Sequence, residues 1–407
     1  MTGNQMNMHR KSILFVITSF KISNTGFGGH YYSLLTYVEV LKPHYDITVF
    51  HFSELDKTIL DSSLDRDVTY IKKSNSCNID IKKIQPDVIV FFGASGVETH
   101  LLRIKARALR IPIVGLKQGG ANPNKIYPYY DHIICFSKEN FSWFNKKYHF
   151  RHNSQIHLLP NRISKTPLNN KRLQNFPWIQ DDHINILRLS RISKSYYDSF
   201  VKTINLHKRL LQRNLKVNTV LIGNPQDKEI VKSLKKYIQN TENINLLTSK
   251  EYTDHAKELI PLFDIVTGIG RVFMEAAAEK KIVLGFSSAY EIPIIVDEDN
   301  YESFKELNFS MRNKWKNGNE SIEFEKILVA INNPTKMKKT QKFIHEKFSL
   351  DYDAEMIVDY FEIFFKSNSM SFIAIMKDNL NYIRRKTEII KDSFYGMIKK
   401  NIKSLLK

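Results

Sequence analysis

"DIVTGIGRVFMEAAAEKKIVLGF", residues 264–286, sets two glycines, an arginine and a glutamate between one apolar run and an Ala-rich stretch that leads to a second apolar run. Strand, glycine turn, helix and strand in that order build a parallel sheet. Gly268 and Gly270 lack a Cβ, so a phosphate can approach the backbone N–H groups that open the helix. Arg271 follows at once, and Glu275 falls about one turn into the helix, where its carboxylate can accept two vicinal ribose hydroxyls. Taken alone, the two glycines favour a plain tight strand–helix turn with Glu275 merely solvated.

Outward from that stretch the alternation repeats. Runs rich in Ile, Val and Phe occur at 12–18, 46–52, 87–93, 111–116, 132–137 and 155–161, with helix-compatible segments such as 30–41 and 97–109 between them. Their nearly continuous apolar character predicts parallel strands covered on both faces. Residues 162–183 are polar, carry two prolines and read as a connection. Strand and helix then alternate again through 184–190, 198–213, 217–223, 226–239, 243–248, 254–262 and 264–268. The chain therefore reads as two doubly wound α/β domains, in keeping with its 407 residues.

Lys and Arg number 61 against 42 Asp and Glu, a formal charge of +19. That surplus attracts anionic partners: nucleic acid, acidic lipid or phosphorylated substrates. A solvated Lys-rich surface explains part of it. Nucleic-acid binding is disfavoured, because the surplus is spread out and no RNA or DNA module is recognisable. Cys77 and Cys135 stand far apart in no metal or redox spacing, which fits a reducing compartment. The apolar run Ile13 to Ile17 is too short for a signal peptide, and no stretch approaches membrane-spanning length, so a cytoplasmic location is expected. From Lys366 onward the chain holds ten basic and three acidic residues, with Ile383, Ile390, Met397 and Leu405 near helical spacing. This tail suits an interfacial helix on anionic lipid at the inner face of the plasma membrane, a helix packed on the protein, or a partner-binding helix.

The stretch from Thr267 to Phe286 resembles the donor-binding segment of retaining GT-B glycosyltransferases of the glycosyltransferase group 1 family, bacterial surface-polysaccharide type. That family shows Glu-Gly-Phe-Gly, four mostly apolar residues, then Glu-Ala and small residues. This chain keeps both glycines, Glu275 and the Ala run, with Thr267 in place of the first glutamate. "NTGFGGHYYSLL" resembles the family's glycine-rich loop, with Gly28 and Gly29 as the matching residues; "IHLLPNRI" resembles the entry to its linker. "ILRLSRISKSYYDSF" resembles the segment whose arginine and lysine hold the donor diphosphate, which maps to Arg191 and Lys194 in a shortened spacing. "VNTVLIG" resembles the strand that follows, ending at Gly223.

The resemblance implies a GT-B fold: two doubly wound Rossmann-like domains facing a central cleft, plus C-terminal helices. It implies an acceptor domain over 1–163, a linker over 164–183, a donor domain over 184–345, a helix over 346–366 packing back toward the first domain, and a basic tail over 367–407. The implied activity is sugar transfer with retention from a nucleotide-sugar to a glycan or lipid-linked acceptor, with no cofactor beyond that co-substrate. Arg191, Lys194 and Glu275 are the implied catalytic residues; Gly28, Gly29, Gly223, Thr267, Gly268, Gly270 and Arg271 are the implied donor contacts. Cations and a helix dipole would neutralise a leaving diphosphate, and no metal is expected, since no Asp-x-Asp pair has a suitable strand-end context. The family's usual histidine after the fifth strand is absent; His30, Lys117, Gln118 and Asn122 are the sugar or acceptor candidates. A non-catalytic nucleotide-binding subunit and a sugar-nucleotide epimerase on the same fold are the competing readings.

Overall fold

The computed structural model describes residues 10–19, 28–74, 79–93, 99–123, 127–164, 173–367, 376–380, 383–384 and 387. The chain divides into two compact units, Met1–Pro160 with Glu355–Lys407, and Asn161–Ala354.

The first unit holds β1 (Ser12–Ser19), β2 (Asp46–Ser53), β3 (Thr69–Lys73), β4 (Val88–Phe92), β5 (Ile113–Lys117), β6 (His132–Cys135) and β7 (Gln155–Leu158). They form one parallel sheet in the order β3-β2-β1-β4-β5-β6-β7. Its central strands are the continuous apolar runs of the sequence; β4, "VIVFF", is buried at every residue. Sequence patterning does not reveal β3, because "TYIKK" lies at the sheet edge, half-buried, with two lysines.

The helix Ala354–Phe365 completes this unit. Its Phe361 meets Phe15 and Tyr37 edge-on, and Phe364 packs on His132. Glu362 accepts from Tyr45 Oη at 2.8 Å and pairs with Lys11 at 3.0 Å. Further along, Asp378 is buried against the helix His100–Ala108. Its Oδ2 lies 3.3 Å from Arg103 Nε and 2.9 Å from Arg107 Nη1. Burial alone would raise this carboxyl, yet the two guanidinium groups hold it below its usual range. The rest of the tail, with Ile390, Met397 and Leu405, lies outside the described residues.

The second unit holds β8 (Ile184–Leu189), β9 (Val217–Ile222), β10 (Ile244–Leu247), β11 (Ile265–Thr267), β12 (Ile282–Gly285) and β13 (Ile294–Ile295), in the order β10-β9-β8-β11-β12-β13. All pairs are parallel except the last. Alternate residues face opposite layers. Leu187, Val266 and Val283 pack with Phe273, Met274 and Ala277 of the helix Arg271–Ala278. Ile186, Ile265 and Leu284 pack with Leu206 and Leu210 of the helix Tyr197–Gln212.

Two segments differ from the sequence pattern. The stretch 162–183 is structured at both ends: Ile163 and Phe176 join the second unit's core, and Asn218 donates to the Trp178 carbonyl at 2.6 Å. The helix expected near 254–262 is a 3-10 helix, Ala256–Leu262, because Pro261 within it supplies no N–H for an α-helical ladder.

Candidate functional site

In an open doubly wound sheet, the loops part where the strand order reverses, and ligands bind beyond the carboxyl ends of those two strands. In the second unit that point lies between β8 and β11, neighbours in the register Thr267 with Arg188. β8 leads to a helix on one face and β11 to a helix on the other, as the two packing layers require.

The loop after β8 carries Arg191 and Lys194. Ser190 N–H donates to the Ile222 carbonyl at 3.1 Å and Ile192 N–H to the Asn224 carbonyl at 2.8 Å, so the loop continues the β8–β9 ladder. Gly223 makes this possible: a Cβ there would lie 2.1 Å from the Ser190 carbonyl oxygen. Arg191 and Lys194 are both exposed. The Arg191 guanidinium donates to Tyr196 Oη at 3.0 Å and stacks on its ring.

The loop after β11 holds the glycine turn. Gly268 N–H donates to Leu284 at 3.0 Å, and a Cβ at Gly268 would meet Phe273 Cα at 2.5 Å, so this glycine serves the close seating of helix on strand. Gly270 has φ +55° and ψ −120°, a conformation reserved for glycine, and its N–H donates to the Phe309 carbonyl at 3.1 Å. The first intrahelical bond runs from Met274 N–H to the Gly270 carbonyl, which leaves the amides of the first turn ahead of the ladder. Arg271 Nε lies 2.8 Å from Glu275 Oε1, one turn apart, with both side chains mostly buried. The Thr267 side chain turns inward, bonding Thr203 Oγ1 at 3.0 Å and the Leu187 carbonyl at 3.3 Å.

Arg188 was not singled out by sequence reasoning. It is fully buried, donating to the Thr267 carbonyl at 3.1 Å and to Ser199 Oγ at 2.7 Å. Burial pulls its pKa down to about 9, which still leaves it charged at neutral pH. The signal was present in the sequence: an arginine inside the otherwise apolar strand run "INILRL".

In the first unit the strand order reverses between β1 and β4. Gly28 caps the helix Gly29–Leu41. His30 stacks on Tyr31 at 4.0 Å between ring centroids. Gly26 and the rest of 20–27 lie outside the described residues. Lys117 ends β5, and its ammonium bonds the Gly119 carbonyl. The amide nitrogen of Gln118 is buried with no hydrogen-bond partner among the described residues. Asn122 Oδ1 accepts from Asn140 at 3.0 Å.

A second group missed from sequence lies at the end of β1. Ser19 Oγ bonds Tyr31 Oη and, at 2.8 Å, His51 Nε2; His51 Nδ1 meets Tyr70 Oη at 2.8 Å, and Tyr70 donates to Asp61 at 3.2 Å. Burial, assisted by Lys72, pulls His51 down to about 4, so the ring is neutral at physiological pH. The two reversal points thus differ in charge while sharing a topology.

Comparison with solved structures matches the architecture over nearly the whole chain. A glycosyltransferase from Rickettsia africae aligns with a TM-score of 0.57 at 14% identity, covering 88% of this chain and 100% of its own. The chain has the GT-B fold. HepE from Anabaena, solved with UDP and glucose, aligns at 0.55 and 14% identity over 86% of this chain and 99% of its own. The UDP-GlcNAc 2-epimerase of Neisseria meningitidis, bound to UDP-GlcNAc, aligns at 0.52 and 14% identity over 86% and 100%. No protein-family model matches the chain, and no curated protein sequence does.

Proposed function

We propose that this protein is a glycosyltransferase that takes a sugar from a nucleotide-sugar and delivers it, with retention, to a glycan acceptor, which we take to be lipid-linked. The observation that carries the reading is the second unit's reversal point. Arg191 and Lys194 stand exposed on one loop, while the other opens a helix whose first-turn amides precede the ladder. A leaving nucleoside diphosphate gains negative charge as the anomeric bond breaks. Fixed cations and a helix N-terminus stabilise that charge, and preorganised groups of this kind are the largest catalytic contribution open to such a site. Arg191 offers a bidentate fork to a phosphate, and Glu275, braced by Arg271, is the acceptor for ribose hydroxyls. Gly223 and Gly268 act by allowing close backbone approach, which sets where the two loops lie. Charge neutralisation by side chains is the basis for proposing metal independence; activity that survives EDTA would support it.

In the first unit, the acceptor side, Gln118 presents an unpaired buried amide at the end of β5, beside Lys117 and Asn122. Neutral hydrogen-bonding groups suit sugar hydroxyls. The reaction we propose belongs to bacterial capsule, lipopolysaccharide or related surface-polysaccharide synthesis, at the cytoplasmic face of the membrane, a reading that the resemblance supports. Supporting a peripheral position, Asp378 pins the start of the basic tail beside the helix His100–Ala108, where Leu101, Met376, Leu380 and Ile383 are exposed. No helix among the described residues is long and apolar enough to cross a membrane. Flotation with anionic vesicles tests this: a chain ending near Ser367 should lose binding, and equal binding removes the membrane claim.

A second reading is favoured by one observation: the fold also matches a UDP-GlcNAc 2-epimerase. Incubation with UDP-, GDP- and CMP-sugars, with and without glycan acceptor, separates the readings. Acceptor-dependent sugar transfer, lowered by about 100-fold or more in Arg191→Ala and Glu275→Ala, supports the proposal. An isomerised nucleotide-sugar formed without acceptor establishes the epimerase. Binding without turnover establishes a nucleotide-binding subunit.

A further inference from the structure

The second unit buries a cation for which the described residues provide no opposite charge. Arg188 is wholly enclosed, and no carboxylate among the described residues lies within ion-pair distance of it. Its Nη1 donates to the carbonyls of Thr267 and Leu189 at 3.1 and 3.3 Å, and Nη2 to Ser199 Oγ at 2.7 Å. Nε has no hydrogen-bond partner among the described residues. The rings of Phe200 and Phe286 lie 5.3 and 5.1 Å from the guanidinium carbon. Every contact is neutral. Removing a charge from water is costly, and a buried charge is ordinarily met by an opposite one. The first unit follows that rule, with Asp378 between Arg103 and Arg107.

The position of this lone charge gives it a use. Thr267 and Leu189 are the last residues of β11 and β8, the strands whose loops part at the reversal point. The carboxyl end of a parallel sheet presents carbonyl oxygens, whose partial negative charge repels phosphate. Arg188 engages two of those oxygens and places a full positive charge at the base of the fork. Charge in so apolar a setting is poorly screened and acts over a longer range than it would in water.

We propose that Arg188 is a positioning residue for the diphosphate of the bound nucleotide, a permanent positive charge behind the two loops whose counter-ion is the ligand itself. The inference rests on the diphosphate reading of the site and deepens it. Arg191 and Lys194 contact the ligand from the exposed loop, and Arg188 acts on it through space and through the strand-end carbonyls.

The test is calorimetric titration of the full chain with UDP and with uridine, for wild type, Arg188→Met and Ser199→Asp. Arg188→Met removes the charge; Ser199→Asp gives Nη2 a carboxylate and so neutralises the arginine where it stands. Both variants are expected to lose UDP affinity by about 10- to 100-fold while uridine affinity changes less than about threefold. Ligand-free Arg188→Met should melt no lower than wild type, because the uncompensated charge is gone. UDP binding at wild-type strength by either folded variant overturns the inference. So does equal loss of UDP and uridine, the outcome of a purely structural tie between β8 and β11. If Arg188→Met does not fold, Ser199→Asp decides alone by the same criteria. A wild type that binds none of UDP, GDP, ADP or CDP removes the diphosphate reading and this inference with it; binding that the variants retain removes the inference only.

Discussion

Arg103 and Arg107 of the first unit and Arg188 of the second are all buried, and they are met in opposite ways; the second unit's other buried arginine, Arg162, pairs with Asp353. In the first, Arg103 and Arg107 share the carboxylate of Asp378, and Arg107 also donates to the Tyr129 carbonyl at 2.6 Å. In the second, Arg188 meets only carbonyls, a hydroxyl and aromatic faces. The first arrangement gives both cations a shared carboxylate, one negative charge for two positive ones, and belongs to stability. The second has no carboxylate among the described residues, and on our proposal a bound anion completes it. The same contrast holds at the strand-order reversals, where a neutral Ser19–His51–Tyr70 chain in one unit corresponds to a cation in the other.

The sharpest way to break the comparison is Asp378→Asn. Two guanidinium groups would then lie buried without a counter-charge, which costs about 3–5 kcal/mol. A fall of roughly 10 °C in melting temperature is expected, with nucleotide binding unchanged at temperatures where the protein stays folded. A melting temperature within about 2 °C of wild type would show that the pair contributes little.

Next in size, Arg191→Ala should lower sugar-transfer kcat/KM by about 100- to 1000-fold, roughly 3–4 kcal/mol of transition-state stabilisation. Lys117→Ala, in the other unit, should leave UDP affinity within about threefold of wild type while weakening acceptor use. A reversed pattern in steady-state kinetics would exchange the roles of the two units.

Acid sharpens the contrast further. Burial holds His51 at about 4, His132 at about 3 and His157 at about 4 in the first unit, against His207 at about 4 in the second. His100, also in the first unit, is lowered by burial too. A depressed histidine is neutral in the folded state, while the unfolded chain takes up its proton near pH 6.5. The stability is therefore present above pH 6.5 and is lost as pH falls toward 4, at about 1 kcal/mol per pH unit for each histidine. Hydrogen exchange followed from pH 7 to 4.5 should show the first unit opening before the second. Simultaneous opening contradicts the assignment.

The smallest effect expected is from Gly223→Ala, where the new methyl collides with the Ser190 carbonyl. A cost of about 1–3 kcal/mol and a displaced Arg191 loop should follow, read as a lower melting temperature and a raised KM for the nucleotide-sugar. Unchanged values for both would mean that the loop yields freely.

Much of this was legible in the sequence. Strands buried on both faces declare themselves as continuous apolar runs, and "VIVFF" and "VNTVLI" needed no tertiary information. The glycine turn before Arg271 was equally plain, because φ +55° at Gly270 demands the residue found there. Its chemistry was less so. The Gly268 and Gly270 amides face carbonyls of Leu284 and Phe309, the second of them 39 residues away in the chain (309 − 270), a distance no local pattern conveys. Edge strand β3 was hidden by its lysines. His51 and Arg188 looked like single polar interruptions of apolar strands, and only the residues folded around them give them partners.

The helix Ala354–Phe365 returns to the first unit after the whole of the second has intervened. On the ribosome, the first 160 residues emerge with the slot for Phe361 and Phe364 still vacant, its aromatic floor facing water. Unit two, being continuous in the chain, is free to mature during synthesis, while unit one must wait until the helix Ala354–Phe365 has been made to close its last layer. Nascent polypeptide halted before that helix would present a sticky aromatic surface to chaperones, so the unit whose strands are made first is closed after the other.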